Sequence, residues 1–213
     1  DAIMFGNEND RPYVFKSTPE SVAAMTRVVT EIKMHLNVPF GVNYLWDPTA
    51  TVAIGATTGA SFVREIFTGV FASDMGVWAP DCAEASRLRT TLGRNDMKML
   101  FNINAEFAHS LDQRPIELRA KSAVFSSLAD AILVSGPITG QPAEASDLRK
   151  VAEAVTEVPI FANTGVNIDN VADVFQHASG CVIGTHFKVD GDTWNKVDAD
   201  RVTRFMDKVE TLR

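Results

Sequence analysis

Thiols are scarce: Cys82 and Cys181 are the only cysteines in 213 residues. Two are too few for a disulfide framework, and their spacing is not that of metal ligands. The scarcity predicts a reducing, cytoplasmic setting. No apolar run approaches the roughly 20 residues that span a bilayer. Glycine (13) and proline (9) are too few for collagen-like or low-complexity character. Cations are outnumbered, with 20 Lys and Arg against 27 Asp and Glu and a net charge of −7. That balance argues against nucleic acid as a partner. No G-x-G-x-x-G occurs, so the fingerprint of a dinucleotide-binding sheet is missing. The rest is ordinary for a folded domain: 46% hydrophobic and 22% charged residues. This leaves ample apolar surface to bury and excludes disorder.

Short apolar runs alternate with helical patterns. Strands are predicted near 1–7, 39–46, 61–67, 98–104, 131–135, 159–163 and 181–186, most of them continuously apolar, as buried parallel strands are. Helices are predicted near 19–36, 49–58, 81–92, 115–128, 144–156, 168–177 and 199–212. Thr18-Pro19 and Asp47-Pro48 each place a capping oxygen before a proline at the first helical position. Gly59 and Gly93 follow helix ends, where a left-handed residue is wanted. No hairpin signal is read, and 69–80 is read as a long loop suited to a lid.

Seven βα units at a mean repeat of about 30 residues fall one short of the eight that make a barrel of about 250 residues. The expected architecture is a single α/β domain over 1–213, a (β/α)8 TIM barrel of the phosphate-binding type. Its first βα unit would lie outside this sequence, which opens directly on the strand-like Asp1-Ala-Ile-Met-Phe-Gly-Asn7. The rival is an open doubly wound sheet, which would gather ligand groups at one switch point.

In such a barrel the site forms where strands end at their C-terminal edge. Those ends here carry Asn7-Glu8, Asn43 with Trp46-Asp47, Arg64-Glu65, Asn102-Ile-Asn104-Ala-Glu106, Ser135, Asn163-Thr164-Gly165 and Gly184-Thr185. Asn102, Asn104 and Glu106 share one strand parity and should face one way. Glu8, Glu65 and Glu106 are the candidate proton-transfer groups, with a divalent cation on Glu8 and Glu106 a further option. The bland alternative is that one or more of them pairs with Arg64 or caps a helix. Asn43, Asn102 and Asn104, with Asp74 on the 69–80 loop, complete the catalytic candidates. Asp47 reads as a helix cap. Asn7, Arg64, Ser135, Asn163, Gly165, Gly184, Thr185 and Lys188 are the substrate-binding candidates. Small residues at Gly165 and Gly184 would free backbone N–H groups for a phosphate. Phe71, Trp78 and Trp194 are read as exposed anchors for a homo-oligomer or as packing beneath the lid.

Several segments resemble one family: Asp1-Ala-Ile-Met-Phe-Gly-Asn-Glu8, Val38-Pro-Phe-Gly-Val-Asn43, Leu45-Trp-Asp-Pro48, Phe62-Val-Arg-Glu-Ile-Phe-Thr-Gly69, Ala72-Ser-Asp74, Phe161-Ala-Asn-Thr-Gly165, and the tail from Gly184 through Lys188-Val-Asp-Gly191 to Asn195. Together they resemble the BtpA/SgcQ family over essentially the whole chain. The Trp46-Asp47 and Phe101-Asn102 variants look closer to its SgcQ-type bacterial members. Family members usually begin with a further strand carrying a His-Leu…Leu-Pro-Gly segment, which this sequence lacks. The resemblance implies a barrel related to phosphate-binding barrels. It also implies one of two settings, carbohydrate gene clusters for SgcQ-type members or photosystem I assembly for BtpA. The expected function is an isomerase, epimerase or aldolase-type enzyme acting on a small phosphorylated metabolite such as a sugar phosphate. The alternative is a non-catalytic assembly or stability factor.

Overall fold

The computed structural model describes residues 1–213. Two compact units divide the chain, Asp1–Phe101 with Ser110–Asp112, and Asn102–His109 with Gln113–Arg213.

The first unit runs β1 (Ile3–Gly6), α1 (Pro19–Lys33), β2 (Phe40–Asn43), α2 (Pro48–Thr58), β3 (Phe62–Glu65), β4 (Phe71–Ser73), β5 (Gly76–Trp78), α3 (Cys82–Thr91) and β6 (Lys98–Asn102), whose last residue begins the second unit. β1 pairs parallel with β2, β2 with β3 and β3 with β6, with Val42 opposite Val63 and Val63 opposite Met99. Every residue of β2 is buried, as the unbroken apolar run requires. Gly41 is fixed by packing, since a Cβ there would come 2.1 Å from the Phe62 ring.

Helix ends follow their caps. Thr18 and Ser21 form a reciprocal capping box on α1. The Asp47 carboxylate accepts from Ala50 N (2.9 Å) and from Ser17 N (2.8 Å), so it starts α2 and ties down the chain that enters α1. A cap of this kind contributes about 1 kcal/mol. Gly59 closes α2 in the left-handed region at φ 83°.

The 69–80 segment differs from expectation. It is a β-hairpin, with β4 antiparallel to β5 and Phe71 opposite Trp78. Gly69 and Gly76, both at positive φ, allow the turns. The aromatic residues hold it down. Trp78 stacks on Phe15 (5.8 Å) and meets Trp46 edge-on (5.0 Å), with Phe71 alongside. Phe71 and Trp78 are therefore core residues, and of the three expected surface aromatics only Trp194 is exposed.

A short strand, β7 (Ala108–Ser110), lies where the chain passes between the units. The second unit continues with α4 (Ile116–Ser127), β8 (Ala131–Val134), α5 (Ala145–Ala154), β9 (Ile160–Ala162), α6 (Val171–Val174), β10 (Gly180–Cys181) and α7 (Ala199–Glu210). β8 pairs parallel with β9, and β9 with β10. α5 buries Leu148 and Val151, and α7 buries Phe205 and Val209.

Two elements are shorter than predicted. The helix expected over 168–177 keeps only Val171–Val174. Ahead of it the Asn167 side chain accepts from Asp169 N and Asn170 N, while Asn167 N donates to Asn170 Oδ1. These side-chain bonds serve backbone N–H groups that have no partner within a helix, as a cap does. The strand expected over 181–186 is only Gly180–Cys181, followed by 3-10 turns at Thr185–Phe187 and Val189–Gly191. Gly184, at φ −121° and ψ −78°, lies outside strand geometry. No helix is long and apolar enough to cross a membrane.

Candidate functional site

Each unit carries one buried polar cluster. In the first, Asn43 closes β2 and Arg64-Glu65 close β3. Arg64 donates to Asn43 Oδ1 (2.8 Å), and Asn43 Nδ2 donates to Glu65 Oε2 (2.5 Å). Glu65 Oε1 accepts from Ile66 N (2.7 Å). Asn43 is fully buried and Glu65 is 3% exposed. Burial pushes the Glu65 carboxyl up to about 7, against the opposing pull of the Arg64 charge and of hydrogen bonds from the Ile66 backbone, Asn43 and the Trp46 backbone.

Other first-unit candidates have different work. Asn7 is a brace, its Oδ1 accepting from Leu45 N (2.8 Å) and its Nδ2 donating to Asp10 (3.3 Å). Glu8 is exposed in the turn after β1, and its carbonyl accepts from the Tyr13 hydroxyl (2.8 Å). Asp74 is exposed at the hairpin tip. Asp47 is the helix cap described above. Tyr44 was not singled out in the sequence. It is buried, and its hydroxyl donates to Ser21 Oγ (2.7 Å).

The second cluster surrounds Ser135, the residue after β8. β6 ends at Asn102, and the chain then bends through 103–107. The bend, rather than strand parity, sets the directions of Asn102, Asn104 and Glu106. Asn102 Nδ2 donates to Ser135 Oγ (3.0 Å), and so does Asn163 Nδ2 (2.8 Å). Asn104 grips the backbone of the same residue, donating to Ser135 O (2.6 Å) and accepting from Ser135 N (2.8 Å). The half-buried Glu106 accepts from Thr139 Oγ1 (2.8 Å) at Oε2 and from Asn163 Nδ2 (3.4 Å) at Oε1. Thr164 Oγ1 accepts from Gly136 N (2.5 Å). Asn102, Ser135, Asn163 and Thr164 are all buried, and Asn163 Oδ1 is buried with no hydrogen-bond partner.

Glycines shape this cluster. A Cβ on Gly165 (φ 64°) would strike the Gln141–Pro142 backbone at 2.1–2.5 Å, and one on Gly136 would strike the Gln141 carbonyl at 2.1 Å. The loop after β8 is thus pressed directly onto the ends of β8 and β9. A Cβ on Gly184 would meet open space, while one on Gly140 would come into ordinary contact with Thr185. Thr185 and Thr193 share a 2.7 Å hydroxyl contact, and Lys188 is half-buried beyond the first 3-10 turn. Thr139 and Thr164 escaped the sequence reading. Thr164 stands between two chosen residues in Asn163-Thr164-Gly165, whereas nothing in the loop sequence marks Thr139. Burial pushes the Cys181 thiol up to about 11, leaving it protonated at neutral pH. No group of three or more His, Cys, Asp or Glu side chains is placed to hold a metal ion.

Residues 1–211 match the BtpA family. This chain belongs to the BtpA family. It is 45% identical over 213 residues to the sgc region protein SgcQ of Escherichia coli (strain K12), covering 100% of this chain and 80% of that one. It is 30% identical over 210 residues to the photosystem I biogenesis protein BtpA of Synechocystis sp. (strain ATCC 27184 / PCC 6803 / Kazusa), covering 97% of this chain and 73% of that one. Among solved structures it resembles phosphoribosyl anthranilate isomerase from Thermus thermophilus. The TM-score is 0.63 at 10% identity, over 100% of this chain and 88% of the other. It also resembles a native KDPGal structure, with a TM-score of 0.58 at 12% identity over 99% and 94% of the two chains. These likenesses show the fold, an α/β barrel of the TIM type, and decide against the open doubly wound sheet.

Proposed function

We propose that this BtpA-family protein is an enzyme acting on a small phosphorylated metabolite of the sugar-phosphate class, by proton-transfer chemistry of the isomerase, epimerase or aldolase kind. The observation that carries this reading is the Glu106 carboxylate, half-exposed and held at both oxygens by Thr139 and Asn163. A carboxylate fixed in this way, and only partly buried, suits proton abstraction next to a carbonyl. Asn102, Ser135 and Asn163 form the polar line that would orient the substrate. Thr185, Gly184 and Lys188 would meet its phosphate. The likeness to a phosphoribosyl anthranilate isomerase supports the class of substrate at the level of fold, and the SgcQ relationship is compatible with it.

Glu106→Gln keeps the shape and both hydrogen-bonded neighbours but removes the base. Turnover of a sugar phosphate should fall by 10²–10⁴-fold with the melting temperature nearly unchanged. An unaltered rate would take Glu106 out of the mechanism.

A second reading, an assembly factor, draws on the name of the Synechocystis relative. Phe125 at 88% exposure and Leu128 at 66%, at the end of α4, favour it as apolar contact points. It would gain if Phe125→Ser lost a bound partner that Glu106→Gln retained.

A further inference from the structure

Ser135 Oγ accepts two amide hydrogens, from Asn102 and Asn163, which occupies both its lone pairs. Its own hydroxyl hydrogen is donated to no group in the chain. Beside it, Asn163 is 5% exposed, and its Oδ1 is a buried acceptor with no donor. The amide orientation follows from its two acceptors: Nδ2 donates to Ser135 Oγ and, at 3.4 Å, to Glu106 Oε1, and turned over it would give up both donations and set Oδ1 against the Glu106 carboxylate oxygen. One unspent donor and one unspent acceptor therefore sit on two side chains already joined by a 2.8 Å hydrogen bond.

We propose that Ser135 and Asn163 form a subsite for one hydroxyl group of the substrate, which accepts from the Ser135 O–H and donates to Asn163 Oδ1. The chemistry selects the group. A carbonyl or phosphate oxygen can only accept and would leave Asn163 Oδ1 unpaired. An ammonium can only donate and would leave the serine hydrogen unpaired. An alcohol does both, as does water, so a sugar hydroxyl that displaces water from this position keeps both bonds. Sites built to hydrogen-bond a substrate hydroxyl reject analogues lacking it strongly, because the buried protein groups are then left unpaired. Glu106 accepts from the same Asn163 amide that donates to Ser135, so an alcohol seated here would lie one side chain away from the proposed base. This deepens the proposed function and rests on it. The substrate becomes a hydroxylated sugar phosphate, held through an alcohol as well as through phosphate.

The test is calorimetric titration of the full chain with D-ribose, D-xylose, D-glucose and D-galactose, their terminal phosphates, and ethyl phosphate as the probe without a hydroxyl. At least one sugar phosphate should bind about tenfold or more tightly than ethyl phosphate, and Ser135→Ala should erase that difference. Because Ser135→Ala also strands two amides and could unfold the chain, the monofluoro-deoxy analogues of that sugar answer the same question on the unaltered protein. Fluorine at the seated position cannot donate, and affinity should fall about tenfold for one position. Equal binding of sugar phosphates and ethyl phosphate overturns the subsite while leaving the phosphate reading standing. So does an analogue series with no sensitive position. A free sugar that binds the wild type but not Ser135→Ala, with phosphates adding nothing, keeps the subsite and removes the phosphate. Silence from every probe overturns both.

Discussion

Asn43, Arg64 and Glu65 show how one buried carboxylate links sequence to pH. Sequence alone placed all three at strand ends, but with Glu65 next to Arg64 it left open whether the acid was catalytic or merely paired. The structure joins Arg64 to Asn43 and Asn43 to Glu65, and it buries Glu65 almost completely. The carboxyl rises from 4.5 to about 7. A folded-state value above the unfolded one means that Glu65 supports folding fully below pH 4.5 and loses that support as pH climbs through about 7. Between pH 5 and 8 the loss should amount to roughly 2–3 kcal/mol, or about 5–10 °C in melting temperature for a chain of this size. Glu65→Gln cannot ionise, so thermal melts across this range should show the wild type falling relative to the variant. Parallel curves would mean that the buried acid does not titrate there.

At the scale of elements, loops decide more than strands. The parallel strands and their helices were legible because buried β runs and proline-capped helices leave strong periodic and local signals. The hairpin at 71–78 was not, because its turns use Gly69 and Gly76 without the Asn-Gly or Asp-Gly pair that announces a tight turn. The late start of α6 was equally hidden, since the hydrogen bonds between Asn167 and Asn170 ahead of it are cap-like and periodicity does not register them. The loop after β8 makes a sharper prediction. Gly165→Ala forces a Cβ into the Gln141–Pro142 backbone at positive φ, whereas Gly184→Ala meets nothing within 4 Å at an ordinary φ. The first should destabilise by about 2 kcal/mol or more, and the second should stay within about 0.5 kcal/mol. Urea unfolding of both variants separates them. Equal midpoints would mean that the loop does not press on Gly165.

For the whole molecule, composition and the run of βα units were enough to reach the barrel class, and the resemblance in particular segments was enough to reach the family. The candidate site was legible as a set of strand-end polar residues, but not as two clusters with separate internal bonding. Sequence spacing cannot show that Asn104 spends both ends of its amide on the Ser135 backbone, or that Thr139 reaches Glu106 across 33 positions. The three tryptophans carry a last consequence. Trp46 and Trp78 lie edge to face at 5.0 Å, 6% and 7% exposed, in the first unit, while Trp194 is half-exposed in the second. The chain therefore holds its own pair of optical reporters. Iodide should quench the red-edge emission of Trp194 and spare the blue-edge emission of the pair. The coupled indoles should also give a near-ultraviolet dichroism signal that vanishes when the first unit opens, so the melting of each half can be followed separately without any label.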